Sequence, residues 1–431
     1  MRRALVSLGL IVLALGVMSA PTSAQEDDPS PRFEGQLEDE SGPAQGVRIV
    51  VTAVGDEIDD GEQEPFVAET VSDDEGAWEI LLPDRRGTYA VELDVSTLPD
   101  GVALDDADAV RESSISQPGQ VRVITFPLGG QELGGTSTFD QVAQATVNGV
   151  KLGLIIAMCS VGLSMIFGTT GLINFSHGEL VTFGAALAWW LNTGSIEAGL
   201  IAAAALAVLG GCLLGGVIEK GIMAPLRRRR LGSFQFVVVT IGMSLVGRQL
   251  FQLWIGEGNL TYRQFQIQTP WELGPIDITP RDLTIIAVST IALIGVATVL
   301  QLTRLGKGMR AVSDNADLAA SSGIAVNRVI LSVWVSGAGL AALGGVFLGL
   351  SETVKFDMGF RLLLLMFAAV VLGGLGTAYG AMVGGLVIGI VTEVSTVWFE
   401  PELKFLWALL VLILVLLVRP QGILGTKERV G

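Results

Sequence analysis

Apolar segments recur from residue 142 to residue 418 and are separated by short polar stretches. They lie at about 142–167, 179–193, 196–219, 234–254, 283–302, 329–350, 362–376, 381–398 and 405–418. A helix needs roughly 20 apolar residues to cross a bilayer, and several of these segments are shorter. The pattern predicts an all-α polytopic membrane domain over residues 141–431, with about eight or nine transmembrane segments, some of them short or broken.

A different pattern precedes these segments. Between residues 32 and 128, short runs rich in β-branched and aromatic residues alternate with turns, as in strands. The turn at residues 73–76, between two such runs, is a hairpin signal. We therefore expect a small all-β extracytoplasmic sandwich domain at residues 25–128 and a Gly/Ser/Thr-rich linker at 129–140. The order of the runs, with Asp73-x-x-Gly76 before an aromatic residue, resembles the carboxypeptidase-regulatory and transthyretin-like modules.

The first 24 residues have the composition of a signal peptide. Arg2 and Arg3 precede an apolar run that is too short to span a bilayer comfortably, and small residues follow it. We expect cleavage after Ala24, with Ala20 as a second candidate; an uncleaved anchor helix is the alternative. Either way, the residues that follow lie outside the cytoplasm.

Charge divides the chain in the same place as hydropathy. Of its 43 acidic residues, 28 lie in residues 25–140, which hold six Arg and no Lys; residues 141–431 hold 15 acidic and 19 basic residues. The net charge of −16 thus belongs to the exported part. The positive-inside rule places three basic clusters in the cytoplasm, and the carboxyl terminus with them: residues 227–230, 304–310 and 419–429.

Several kinds of chemistry are excluded by composition. His177 is the single histidine, so a His-based metal site is excluded, and no G-x-x-x-x-G-K-[ST] loop is present to hold nucleotide phosphates. We expect no cofactor, no metal, no nucleic-acid partner and no enzymatic activity. The 55 Gly instead include pairs spaced four apart, which predict close helix packing in the bilayer: Gly149/Gly153, Gly211/Gly215, Gly345/Gly349, Gly376/Gly380, Gly380/Gly384 and Gly385/Gly389.

A polar interruption at residues 304–328 lies between two long apolar segments. On a helical wheel one face carries small and apolar residues, namely Met309, Val312, Ala316, Ala319 and Gly323. This predicts a short amphipathic helix in a cytoplasmic loop, the alternative being a solvated connector.

Three motifs in order carry a family resemblance. Residues 171–179 (GLINFSHGE) are similar to the G-x-I-N-F-A-H-G-E signature of branched-chain amino acid ABC importer permeases, whose close relatives are the urea permeases. The polar interruption matches that family's cytoplasmic coupling loop, and LGGLGT from Leu372 with RPQGILG from Arg419 matches its carboxyl-terminal part. The departures are Ser176, where the family usually has Ala, and the exported domain.

The resemblance implies a multi-pass subunit of the cytoplasmic membrane that moves branched-chain amino acids with ATP hydrolysed elsewhere. Its partners are two ABC ATPase subunits, a second permease, an extracytoplasmic solute-binding protein and the lipid bilayer. The implied coupling residues are Met309, Arg310, Ala311, Asp314, Asn315, Ala319 and Gly323, and the signature turn has Gly171, Asn174, His177, Gly178 and Glu179. A urea or amide permease stays open, as do a secondary transporter, a channel and an adhesion module.

Polar residues inside apolar segments are candidates for the solute pathway. They are Ser160, Ser164, Thr240, Ser244, Arg248 and Glu393. For Arg248 and Glu393, snorkelling to the interface is the alternative. Asn174 and Ser176 are expected to cap the helix that follows them.

Overall fold

In the computed structural model the chain divides into two compact units, and the boundary along the sequence falls between Thr136 and Ser137. The structure describes residues 31–39, 42–54, 66–74, 76–83, 87–99, 104, 109–115, 121–124, 126, 138–194, 198–229, 231–265, 268, 270–400, 403–419 and 421–425. The predicted signal peptide lies outside the described residues.

The first unit is built from strands. They are β1 (Arg32–Gln36), β2 (Glu38–Asp39), β3 (Gly42–Pro43), β4 (Arg48–Val54), β5 (Val67–Val71), β6 (Ala77–Leu81), β7 (Gly87–Leu93), β8 (Val110–Ile115) and β9 (Val121–Val123). One sheet has the order β6-β1-β9, with β1 and β9 parallel, and a second has the order β5-β4-β7-β8. The strand at β8 was not among those expected from the sequence.

The two sheets share one apolar core. Phe33 of β1 and Tyr89 of β7 are both buried and meet edge to face, with ring centroids 5.9 Å apart. Trp78 of β6 packs against Phe126 in the same core. Because side chains alternate across each sheet and one face of each meets the other, the unit is a sandwich, as expected.

The prediction of a hairpin at residues 73–76 is wrong. The turn itself forms, because Gly76 takes φ +74° and Asp73 Oδ1 accepts a hydrogen bond of 2.8 Å from the Ala77 amide. The strands on either side, however, belong to different sheets. The chain therefore crosses from one layer to the other here, since both sheets need an apolar strand face against the core.

The second unit is helical. Its elements are α1 (Thr138–Thr170), α2 (His177–Thr193), α3 (Leu200–Ile218), a π-helical turn (Glu219–Met223), α4 (Ala224–Arg228), α5 (Ser233–Ile255), a hairpin of β10 (Trp271–Glu272) and β11 (Asp277–Ile278), α6 (Pro280–Leu302), α7 (Arg304–Asp314), α8 (Ala316–Ser321), α9 (Val326–Ser351), α10 (Met358–Gly373), α11 (Ala378–Val394) and α12 (Lys404–Val418).

Length and composition confirm a polytopic membrane domain. In the described part of the chain, six helices are long and apolar enough to cross a bilayer, beginning at Thr138, Leu200, Ser233, Pro280, Val326 and Ala378. Helices α10 and α12 are apolar but shorter, and α2 has 17 residues. The short segments expected from the sequence are thus present.

Helix α1 is the central helix of this unit, and glycines set its distance to its neighbours. A Cβ at Gly153 would lie 2.9 Å from the Leu386 Cα of α11, and one at Gly162 would lie 2.7 Å from the Gly337 carbonyl of α9. Glycine lets the two backbones touch, and this contact adds dispersion energy between helices that gain no hydrophobic driving force in lipid. The glycine pairs at 149/153 and 385/389 face each other across the α1–α11 contact.

We predict that Trp78→Ala destabilises the β-sandwich by about 3–5 kcal/mol, because it leaves a cavity in the shared core. Trp78 is 4% exposed, whereas Leu81 on the same strand is 61% exposed and makes a matched control. Urea unfolding of residues 26–128, expressed alone and followed by far-UV circular dichroism, measures both variants. A helical or unfolded spectrum for the parent segment, or equal losses for Trp78→Ala and Leu81→Ala, would contradict the prediction.

Candidate functional site

Two short helices meet with their amino-terminal ends inside the bundle. Non-helical segments at residues 171–176 and 352–357 precede α2 and α10. At the meeting point a Cβ on Gly178 would lie 2.5 Å from the Gly359 carbonyl oxygen, so the two backbones touch. The Gly359 amide also donates a hydrogen bond of 3.1 Å to Thr182 Oγ1 of α2. The positive ends of two helix dipoles are therefore directed at one place in the membrane domain.

The signature turn supplies the first of these ends. Gly171 takes φ +67°, which turns the chain back after α1. Asn174 Oδ1 accepts hydrogen bonds from the Ser176 amide at 3.1 Å and from Ser176 Oγ at 2.7 Å. The expectation that Asn174 and Ser176 cap the following helix is therefore wrong, since Ser176 makes no side-chain cap bond and Asn174 closes the preceding turn.

His177 is fully buried at the start of α2. Its Nε2 lies 3.1 Å from the Cys159 carbonyl oxygen of α1, while Nδ1 has no hydrogen-bond partner among the described residues. This contact fixes the imidazole against the central helix and sets the depth at which α2 begins. Among the described residues, no three His, Cys, Asp or Glu side chains come together as a metal site.

Glu179, Ser244 and Arg248 come together beside this meeting point. Ser244 Oγ, at the midpoint of α5, donates a hydrogen bond of 2.9 Å to Glu179 Oε1. Gly247 allows the approach, because a Cβ there would lie 3.2 Å from Glu179 Cγ. Glu179 is 8% exposed, and its Oε2 has no hydrogen-bond partner in the described structure. Arg248 lies one turn further along α5 and interacts electrostatically with the Glu179 carboxylate.

Two charged residues of this cluster were missed from the sequence. Asp357 precedes α10 and is 7% exposed, and its Oδ2 accepts a hydrogen bond of 2.7 Å from Arg361 Nε. The Arg248 guanidinium carbon lies 5.4 Å from the ring centroids of both Phe356 and Phe360. The sequence did contain a signal for these two residues, an acid and a base four residues apart. They lie directly before the apolar segment that we predicted to begin at residue 362.

The remaining pathway candidates lie outside this charged cluster. Ser160 and Ser164 are fully buried in α1, where Ser160 Oγ donates to the Met366 carbonyl at 3.4 Å. Thr240, also buried, donates to the Ile173 carbonyl at 3.4 Å and so helps to seat α5 on the signature turn. Glu393, near the end of α11, lies 3.9 Å from the Lys404 ammonium at the start of α12. Of the six candidates, Ser244 and Arg248 take part in the charged cluster.

The polar interruption forms two helices rather than one. Asn315 is extended (φ −162°), so α7 ends at Asp314, and Asn315 Oδ1 caps α8 by accepting the Leu318 amide at 2.9 Å. Buried Met309, Val312 and Ala319 form the inner face, but Ala316 is exposed, because the break rotates α8.

Among the described residues, nothing lies within 4 Å of the position that a Cβ on Gly323 would take, so Gly323 makes no close contact within this chain. Its φ of +84° instead ends α8 in the left-handed region, where glycine is favoured. Asp314, Asp317 and Leu318 are exposed on the outer side of this pair of helices, and Leu318 is 64% exposed. The outer side of α7 and α8 thus exposes two carboxylates, Asp314 and Asp317, beside the apolar Leu318.

The two carboxyl-terminal motifs are brought into contact. The amides of Ile423 and Leu424 donate to the carbonyls of Leu372 and Gly373 at 2.8 and 2.9 Å. At the same end of the bundle, a Cβ on Gly168 would lie 2.9 Å from the Gly376 carbonyl and 3.3 Å from Ser313 Oγ of α7. The polar interruption therefore packs on the end of α1, beside the turn that follows α10.

Comparison with known proteins places this helical unit among transport proteins. The family model for the branched-chain amino acid transport system permease component matches residues 145–417. The high-affinity branched-chain amino acid transport system permease protein LivH of Escherichia coli (strain K12) is 32% identical over 299 residues, covering 66% of this chain and 96% of LivH. LivH of Salmonella typhimurium is 31% identical with the same coverage. BraD of Pseudomonas aeruginosa is 30% identical over 305 residues, again covering 66% and 96%.

We predict that Gly359→Ala lowers the midpoint of thermal unfolding in detergent, because the new methyl would lie 2.0 Å from the Gly178 carbonyl. Overpacking of this kind costs about 1–3 kcal/mol. Gly295→Ala in α6 is the control, since nothing lies within 4 Å of its Cβ position and Ala favours a helix. A Gly359→Ala protein as stable as Gly295→Ala would show that the two helix ends are not in backbone contact.

Proposed function

The chain belongs to the family of branched-chain amino acid transport system permease components, and from this premise we propose that it is the membrane subunit of an ATP-driven importer of aliphatic amino acids. ATP is hydrolysed by partner ATPase subunits, a second permease completes the pathway, and an extracytoplasmic binding protein delivers the solute. The observation that carries the proposal is the family match across residues 145–417, the helical unit.

The charged cluster supports a pathway for a zwitterion. Glu179, Arg248, Asp357 and Arg361 place two carboxylates and two guanidiniums beside the meeting point of α2 and α10. Charged groups inside a membrane domain face a partner or a water-filled path, because lipid does not solvate them. A solute with one positive and one negative group finds both complements here.

The coupling loop supports an ATPase partner. Helix α7 packs back on α6 through Gly306, whose Cβ would lie 2.2 Å from the Leu300 carbonyl, and Arg310 Nη1 donates to that same carbonyl. Motion of this loop is therefore transmitted to α6 and to the end of α1 through direct contacts. The exposed outer side, with Asp314, Asp317 and Leu318, is the surface that we assign to the ATPase.

A proton-coupled secondary transporter is the second candidate. The buried Glu179, with one carboxylate oxygen unpartnered among the described residues, is the observation that favours it. The two candidates differ in their energy source, so the same vesicles separate them. Uptake that follows a proton gradient in the absence of ATP supports the second candidate.

We predict ATP-dependent uptake of labelled leucine by proteoliposomes that contain this chain, its ATPase, its sister permease and the binding protein. Excess isoleucine or valine suppresses that uptake, and excess urea does not, because urea lacks both charged groups. Vesicles without ATP are the control. ATP-dependent entry of urea without entry of leucine would contradict the amino-acid assignment and leave the importer architecture standing.

We predict that Gly323→Val lowers the leucine transported per ATP hydrolysed severalfold, because a β-branched residue at φ +84° costs about 1–2 kcal/mol and distorts the end of α8. Gly323→Asn is the matched control, since Asn enters the left-handed region more readily. Uptake and phosphate release are measured in the same vesicles. A Val variant that transports as much leucine per ATP as the Asn variant would remove the coupling role of this turn.

A further inference from the structure

Arg361 is exposed at a depth where lipid cannot solvate it. Its side chain is 65% exposed in the first turn of α10, and Phe360 and Leu364 beside it are 38% and 53% exposed. The turn lies near the middle of the bundle, because Gly359 touches Gly178 and the adjacent Glu179 touches Ser244, the midpoint of α5. Ionisable side chains at this depth face water or protein. This face of α10 therefore does not face lipid.

Asp357, the ion-pair partner of Arg361, does not cap its own helix. Asp357 is at the N-cap position of α10, but its side chain makes no cap hydrogen bond and accepts from Arg361 Nε instead. An Arg guanidinium has five N–H donors, and a planar pair of them matches a carboxylate. Because Arg361 is mostly exposed, its remaining donors are accessible to a solute.

A second and independent observation points to a ligand at the same place. Glu179, on α2, is 8% exposed, and its Oε2 receives no hydrogen bond within the described structure. Arg248 and Asp357 interact with it electrostatically. A buried carboxylate oxygen without a donor is costly, and an incoming ammonium group carries three N–H donors.

An α-amino acid carries a carboxylate and an ammonium group on one carbon. It therefore complements a neighbouring acid–base pair, since its carboxylate can face the base and its ammonium group the acid. We propose that Asp357 and Arg361 form a solute-binding pair in the translocation path, with Arg361 receiving the α-carboxylate and Asp357, supported by Glu179, receiving the α-ammonium. The pair is pre-formed and neutral, so it stays stable in the empty path, and the exposed Arg361 guanidinium is the group that a solute reaches first. This inference rests on the proposed function and assigns its specificity to residues of this chain.

The test compares Arg361→Gln and Arg361→Lys in proteoliposomes with the complete importer and saturating leucine-loaded binding protein. We expect Arg361→Gln to lower leucine transported per ATP hydrolysed about ten-fold, the effect of losing one hydrogen bond to a charged group. Arg361→Lys restores part of the loss, because it keeps the positive charge. The double variant Asp357→Arg with Arg361→Asp also recovers transport relative to the single changes, because it restores an acid–base pair for the zwitterion.

Leu364→Ala, one turn along the same exposed face, is the control for shortening an exposed side chain of α10. Size-exclusion chromatography checks that each variant assembles. Should Arg361→Gln fail to assemble, Asp357→Asn, which keeps the size of the side chain and removes its charge, provides the same measurement.

The outcomes separate this inference from the function on which it rests. Normal leucine transport per ATP in both Arg361→Gln and Asp357→Asn overturns the binding pair and leaves the importer intact. Equal losses in Arg361→Gln and Arg361→Lys, with no recovery in the double exchange, also overturn it, because they assign a packing role to the side chain. A wild-type complex that hydrolyses ATP and moves no amino acid contradicts the proposed function itself.

Discussion

Backbone contact at glycine positions is the constraint on which the helical unit depends. Between helices in a bilayer, lipid tails compete with apolar side chains, so close contact and dispersion must replace the hydrophobic effect. Helix α1 meets α9 through Gly162 and Gly337 and meets α11 through Gly153 and Gly389. These distances leave no room for a methyl group, and they fix the position of α1 against α9 and α11.

The interrupted helices follow from this packing. Because α1 ends at Thr170 and the chain turns back at Gly171, α2 can begin inside the bundle and not at its end. Helix α10 begins at the same level, where Gly178 and Gly359 touch. Two helix ends with unsatisfied amides attract negative charge, which accounts for Glu179 and Asp357 beside them. Arg248 and Arg361 then balance those carboxylates.

The same contacts connect the charged cluster with the polar loop at the other end of the bundle. Helices α1 and α10 each reach that end, where Gly168 lies against Gly376 and near Ser313 of α7. Leu372 and Gly373, at the end of α10, also bind the segment at Ile423 through backbone hydrogen bonds. A displacement of α7 therefore acts on the end of α1, which also contacts the turn after the helix that carries Arg361.

The sequence by itself determined the local features of this protein. Apolar length predicted the membrane helices, and alternation predicted most strands of the sandwich, because both depend on the period of one backbone segment. The sequence of the signature turn indicated the family and included Glu179 among the candidate site residues. What only the tertiary structure decided depends on segments far apart in the chain: the approach of Ser244 and Arg248 to Glu179, the pairing of β5 and β6 in different sheets, and the inward position of Ser160 and Ser164. The break at Asn315, an extended residue whose side chain caps α8, is not recorded by the periodicity of residues 304–328. Periodicity predicts which face of an element is apolar, but the partner that covers this face is selected by shape and contact, and these are set when the chain packs.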